Sequence, residues 1–185
     1  MAAILTDVHW ALAKVMGAFL FSIAIILIVF IGGELFTGNN MTMAFGMYTG
    51  KVTLRQSLKV WLYSYVGNLI GILLMCLLFY FSGAQREVLT EYYAATIPGK
   101  LEISALEMLI RGVLCNFLVC LAVFTGSRLK SECGKMFIMI CVISSFVIAG
   151  FEHSIANMST YALAWMFLGG LPAGMVAKSM LMVTL

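Results

Sequence analysis

Two short stretches hold most of the residues capable of chemistry in an otherwise apolar sequence. One is Gly32-Gly33-Glu34-Leu35-Phe36-Thr37-Gly38-Asn39-Asn40-Met41, and the other is Gly150-Phe151-Glu152-His153-Ser154-Ile155-Ala156-Asn157-Met158. Each has a glycine just upstream, a glutamate, an asparagine five residues later and then a methionine. The two glutamates stand 118 positions apart, so the pattern reads as an internal repeat. A carboxylate or imidazole at membrane depth costs several kcal/mol unless it faces protein or a water-filled cavity. Irregular backbone is tolerated there only where it is buried or lines a pore. Paired discontinuous helices at corresponding places of two repeats point to a transport site near the midplane. The alternative is two ordinary helix ends at the interface, capped by Glu, Asn and Gly. Against it, the uncharged run at 136–151 has 16 residues, too few to cross about 30 Å at about 1.5 Å per residue. His153 is the only histidine in an apolar stretch, and an imidazole titrates near neutral pH. It could hand a proton to a passing weak acid or serve only as a hydrogen-bond donor.

Residues of this kind need elements to hold them, and the composition says which solvent those elements meet. Of 185 residues 63% are hydrophobic and 10% charged, with a mean hydropathy of +1.05. Soluble domains are about half apolar and a quarter charged. A soluble enzyme, a disordered chain and a nucleic-acid binder are therefore excluded. The apolar residues form unbroken blocks instead of alternating, so the expected fold is all-α and integral to the membrane, not a barrel. Uncharged runs occupy 15–33 (extended forward by Trp10–Ala13) and 60–85, and 104–127 is charged only in its first two turns. In that third span Glu107 and Arg111 are spaced to pair on one helix face. A fourth run is 136–151. A fifth, 154–177, contains Gly169-Gly170, Pro172 and Gly174, which break a helix.

Basic residues orient the spans. Lys51, Arg55 and Lys59 lie between the first two, and Arg128, Lys130 and Lys135 between the third and fourth. The 83–103 segment has only Arg86 and Lys100 and reads as an outside loop, the other two being cytoplasmic. This places the N-terminus outside. The N-terminal stretch does not read as a signal peptide: Asp7 is present, a basic n-region is not, and the apolar run is too long for an h-region. An earlier helix is therefore expected. The net charge of +3 argues for no acidic partner, and the five cysteines, without a C-x-x-C pair, read as free apolar thiols and not as a disulfide or metal framework.

Three stretches resemble the formate/nitrite transporter family of formate, nitrite and hydrosulfide channels. They are Glu34-Leu35-Phe36-Thr37-Gly38-Asn39, Leu114-Cys115-Asn116-Phe117-Leu118-Val119-Cys120-Leu121-Ala122-Val123, and Phe151 through Met158; Gly67-Asn68-Leu69-Ile70-Gly71 extends the similarity over the chain. The resemblance implies an aquaporin-like bundle of six helices built as inverted repeats, with the second and fifth broken. It also implies five protomers that each carry a pore. The chain then reads as one partial transmembrane channel domain over 1–185, lacking the first helix and most of the sixth. On this resemblance His153 is the central pore histidine and Thr37 its hydrogen-bond partner. Lys100 lends positive potential, Asn116 sits near it, and Glu152 and Asn157 belong to the second break. Leu35, Phe36 and Phe146 correspond to apolar constrictions, with Phe21 beside them. Packing alone would explain Phe21 and Phe146, and Lys100 beside Gly99 would otherwise be a solvated loop residue.

The implied function is passive or proton-coupled passage of small monovalent weak-acid anions by a homopentamer, multi-pass in a bacterial-type inner membrane and surrounded by lipid. No enzyme activity, cofactor or metal is implied, and no ATP motif is present. A truncated, non-transporting membrane protein is one alternative. An aquaporin-type neutral solute channel is another, but neither Pro98 nor Pro172 follows an Asn, so Asn-Pro-Ala motifs are lacking. A haem subunit would need paired axial ligands, which His9 and His153 cannot supply within the membrane. The topology is directly testable. In a cysteine-free background, a cysteine placed within 88–97 should react with an impermeant thiol reagent added outside, and one within 47–52 should not; the reverse pattern would overturn the orientation.

Overall fold

The computed structural model describes residues 9–185; Asp7, on which part of the N-terminal reading rests, lies outside them. Among the described residues the elements are α1 (Trp10–Ile31), α2 (Phe36–Tyr48), α3 (Leu54–Phe81), α4 (Arg86–Glu102), α5 (Ala105–Arg128), α6 (Glu132–Ala149), α7 (Ser154–Leu168) and α8 (Ala173–Thr184). Four of these, α1, α3, α5 and α6, are long and apolar enough to cross a membrane.

Local chemistry sets the helix limits. Thr53 and Gln56 form a reciprocal capping box that starts α3 at Leu54, so Arg55 and Lys59 ride on its first turns instead of lying in a loop. Twenty-eight residues span about 42 Å, which leaves those turns free to reach the headgroup layer. Ser104 and Glu107 form a second capping box at the start of α5. This corrects one expectation: the Glu107 carboxylate accepts from the Ser104 N–H and hydroxyl, and no Glu107–Arg111 ion pair forms among the described residues. A local cap with two donors holds the carboxylate better than one exposed helix-surface pair. A second correction concerns 83–103, expected as a loop but mostly helical. α4 buries Tyr93, Ile97 and Leu101 against Tyr161 and Ala164 of α7. Its apolar residues form a single stripe, too sparse to register as a span. The expected fifth span is two helices, α7 ending at Gly169 in the left-handed conformation and α8 capped by Pro172.

The core runs along the inner faces of α1, α5 and α6, with Ile25, Ile26, Val119, Ala122, Met139, Ile143 and Phe146 all buried. It also encloses Leu35, Phe36 and Ile155, so both irregular stretches end inside it. α1 packs on α6, α3 on α7 and α2, and α5 on α6 and α8. Small groups permit close approach: Ser22 of α1 bonds Ser144 of α6 at 2.9 Å. At Gly112 of α5 an added Cβ would sit 3.1 Å from the Val183 carbonyl oxygen of α8. Gly71, in α3, has open space instead. Alanine raises helix propensity at either site, so Gly71→Ala should be neutral or stabilising. Gly112→Ala should lower stability by about 1–3 kcal/mol through separation of α5 and α8. Thermal unfolding of the purified protein in detergent checks the contrast, and equal shifts would contradict this packing.

Candidate functional site: two helix breaks around a central cavity

Both irregular stretches are built by the same steps. α1 ends at Gly32 (φ 75°) and α6 at Gly150 (φ 78°), a left-handed conformation that glycine adopts without strain. The next two amides then fold back in a Schellman pattern. Gly32 N–H donates to Val29 at 3.2 Å and Gly33 N–H to Ile28 at 2.7 Å; Gly150 N–H donates to Val147 and Phe151 N–H to Phe146, each at 3.1 Å. Leu35 and His153 follow in extended conformation as the N-caps of α2 and α7. Asn39 Nδ2 donates to the Glu34 carboxylate at 2.8 Å, and Asn157 Nδ2 to the Glu152 carboxylate at 2.9 Å. The repeat offset read from sequence therefore extends to each of these bonds.

The two stretches differ in what surrounds them. Glu34 is exposed, whereas Glu152 is buried and forms an ion pair with Lys100 of α4. Glu152, Lys100 and Asn157 are thus one cluster, with the lysine's charge matched by the carboxylate. Beside it the His153 ring makes two bonds. Its Nδ1 accepts from the Ala156 N–H at 3.2 Å, and its Nε2 lies 3.3 Å from Thr37 Oγ1. An Nδ1 that accepts a backbone proton carries none itself, so the neutral ring holds its proton on Nε2 and donates toward Thr37.

The sequence-predicted residues gather here with few exceptions. Phe146 stacks on the His153 ring at 6.1 Å and Phe21 meets it edge-on at 6.0 Å, so Phe21 joins the group. Phe36, Thr37, Asn116, Glu152 and His153 line a cavity of about 130 Å³ together with Asn40, Cys115, Ser154 and Thr184. Leu35 is buried at the first break, and Lys100 and Asn157 stand behind Glu152. A wider cavity of about 670 Å³ shares Phe36, Asn40, Asn116 and Thr184 with the central one and continues along α2 to Tyr48. A third, of about 540 Å³, lies among α3, α7 and α8 and is almost wholly apolar. Its Met158, Ala162 and Met166 are the repeat equivalents of Asn40, Ala44 and Tyr48. Sequence reasoning left Asn40 and Asn68 without a role. Asn40 was signalled only by lying one helical turn beyond Phe36.

The sequence model for the formate/nitrite transporters matches residues 1–185. The chain belongs to this family. It is 41% identical over 145 residues to the uncharacterized transporter YwcJ of Bacillus subtilis, covering 78% of this chain and 57% of that protein. It is 36% identical over 152 residues to the formate channel FocA of Haemophilus influenzae, with 80% and 53% covered. Against the nitrite transporter NirC of Escherichia coli the identity is 35% over 152 residues, with 82% and 56% covered. The chain spans about half the length of these curated relatives. Two solved structures share its fold. One is an FNT family ion channel, with a TM-score of 0.84, 25% identity and coverage of 99% of this chain and 76% of that one. The other is a pentameric formate channel with formate bound, with a TM-score of 0.82, 26% identity and coverage of 99% and 82%. The formate/nitrite transporter fold, an inverted-repeat bundle with two broken helices, is thereby established, and the chain is a multi-pass protein of the bacterial-type inner membrane.

The buried cluster makes a stability prediction. Glu152 is buried while Lys100 is partly exposed, so removing the lysine leaves a buried carboxylate uncompensated at a cost of about 1–3 kcal/mol, less than for a fully buried pair. Lys100→Met should therefore destabilise by this amount, and Lys100→Met with Glu152→Gln together should recover most of the loss. Melting temperatures of the two variants in detergent check this; a double variant no better than the single one would show that the pair is not coupled.

Proposed function

We propose that this chain forms the pore of a channel for small monovalent weak-acid anions, formate, nitrite or hydrosulfide among them, assembled as a homopentamer. It carries out transport and no chemical conversion. The observation that supports this reading best is the placement of the Thr37–His153 pair. It lies on the 130 Å³ cavity, between the N-terminal ends of α2 and α7 and beside the rings of Phe21 and Phe146.

A bare anion entering an apolar constriction faces a penalty on the order of tens of kcal/mol. Two features reduce it here. The positive ends of two half-helices converge on the cavity and favour negative charge in it. The hydroxyl of Thr37 accepts from His153 Nε2, which turns its own proton outward as a donor to the anion. Lys100 raises the potential less than an isolated cation would, because Glu152 neutralises it. Leu35, Phe36, Phe21 and Phe146 then form the collar that a permeant crosses without water, and Asn116 and Asn157 complete the polar lining and its support.

The ring's other bond favours one of the two roles open to His153. To give up a proton and remain neutral it must first be an imidazolium, which carries a proton on Nδ1 as well. That proton would face the Ala156 N–H, two donors meeting at the positive end of a helix. His153 is therefore a fixed hydrogen-bond donor, and the proton that neutralises a weak acid comes from bulk water. His153→Asn tests this, since Asn caps helices well and also has one acceptor and one donor but cannot titrate. In liposomes the variant should conduct roughly tenfold more slowly through weaker donation, yet keep the rise in formate and nitrite uptake as external pH falls. A flattened pH profile would assign proton transfer to the ring. Absence of anion flux in the parent protein would overturn the channel reading itself.

A further inference from the structure

The two breaks leave the same backbone groups without helical partners, but they satisfy them by different means. At the second, the His153 side chain caps its own helix. At the first, the N-cap is Leu35, whose hydrocarbon side chain can accept nothing, and no side-chain cap is made by it. The groups on either side of Leu35 are instead bonded by one residue of another helix. Asn68 of α3 donates from Nδ2 to the Glu34 carbonyl at 2.9 Å and accepts at Oδ1 from the Phe36 N–H at 3.1 Å. In an extended segment the carbonyl before a residue and the N–H after it face the same side. A primary amide presents a donor and an acceptor at matching spacing, so Asn68 pairs with Leu35's flanks as a neighbouring strand would. The donor and acceptor ends of the amide are fixed by these partners. One turn away on α3, Tyr65 holds the Phe36 ring edge-on at 5.1 Å.

We infer that Asn68 is a positioning residue that sets the aperture of the Leu35–Phe36 constriction, acting through the backbone on both sides of Leu35. The inference rests on the channel reading above for its consequence in transport, though not for the geometry. Without the amide, Glu34 C=O and Phe36 N–H must find water or distort, and Leu35 loses the pairing that keeps it extended. Thr37, next in sequence, carries the bond to His153, so the same amide also registers the first break against the second.

Two readouts in the intact protein test this. In a cysteine-free background carrying Leu35→Cys, labelling by a small methanethiosulfonate should speed up when Asn68→Leu removes both bonds. It should speed up less with Asn68→Asp, which keeps the acceptor for Phe36 N–H but cannot donate to Glu34. In liposomes, Asn68→Leu should raise the ratio of acetate to formate uptake roughly tenfold, the discrimination a one-methyl difference carries in a shaped apolar site. Asn68→Asp serves if Asn68→Leu fails to fold. Labelling at the parent rate in a folded variant overturns the inference, as does faster labelling with an unchanged uptake ratio. If the parent protein conducts neither these two anions nor nitrite or hydrosulfide, the channel reading fails while the labelling rates still decide whether Asn68 positions Leu35.

Discussion

The site of this molecule depends on interrupting two apolar helices, which leaves amides and carbonyls at each break without helical partners. A helix in lipid satisfies its backbone internally, and each unpaired buried group costs about 1–3 kcal/mol. The chain meets this constraint with glycine-terminated Schellman turns at Gly32 and Gly150, with His153 capping α7, and with Asn68 across to the Glu34 carbonyl and the Phe36 N–H. The residues that make the breaks possible are thus largely those that give them chemistry.

This dual use explains the behaviour ascribed to the pore. A histidine recruited as an N-cap has one nitrogen committed to the backbone and one free to donate. A lysine recruited to neutralise a buried glutamate is a weak electrostatic lure by itself. On the proposed function, the polarity offered to an anion comes from hydroxyl and imidazole donors and from helix ends, which need no countercharge. Of the two larger cavities related by the repeat, the one along α2 shares Phe36, Asn40, Asn116 and Thr184 with the central cavity, whereas the one along α7 shares no lining residue with it.

Much of this was legible in the sequence because hydropathy and glycine placement act locally. The spans of α1, α3 and α5, the break at Gly169-Gly170-Pro172 and the offset between Glu34 and Glu152 could be read directly. By contrast α6, whose 16 uncharged residues read as too short to cross, starts at Glu132 and reaches 18 residues, enough to cross. The amphipathic α4 was not legible: Tyr93, Ile97 and Leu101 form a stripe diluted by Glu91, Thr96 and Lys100, and its partner surface on α7 lies more than sixty positions away. Lys100 was placed by family resemblance, and only its contact with Glu152 shows that its charge is matched. The Glu107–Arg111 spacing was suggestive, but a nearer pair of donors on Ser104 won the carboxylate. Asn68 stood in a quoted motif without a role, since a side chain that bonds backbone over thirty residues away leaves no periodic trace.

The central claim, that His153 is a neutral cap with its proton on Nε2, is open to direct observation. Solid-state nitrogen NMR of the histidine-labelled protein in lipid, with His9 replaced so that one ring remains, distinguishes a protonated from an unprotonated ring nitrogen. The structure predicts a single neutral tautomer, protonated at Nε2 and bare at Nδ1, unchanged as pH is lowered from 8 to about 6, across the range where a free imidazole titrates. Two protonated nitrogens appearing within that range would contradict the account and return the histidine to the role of proton donor.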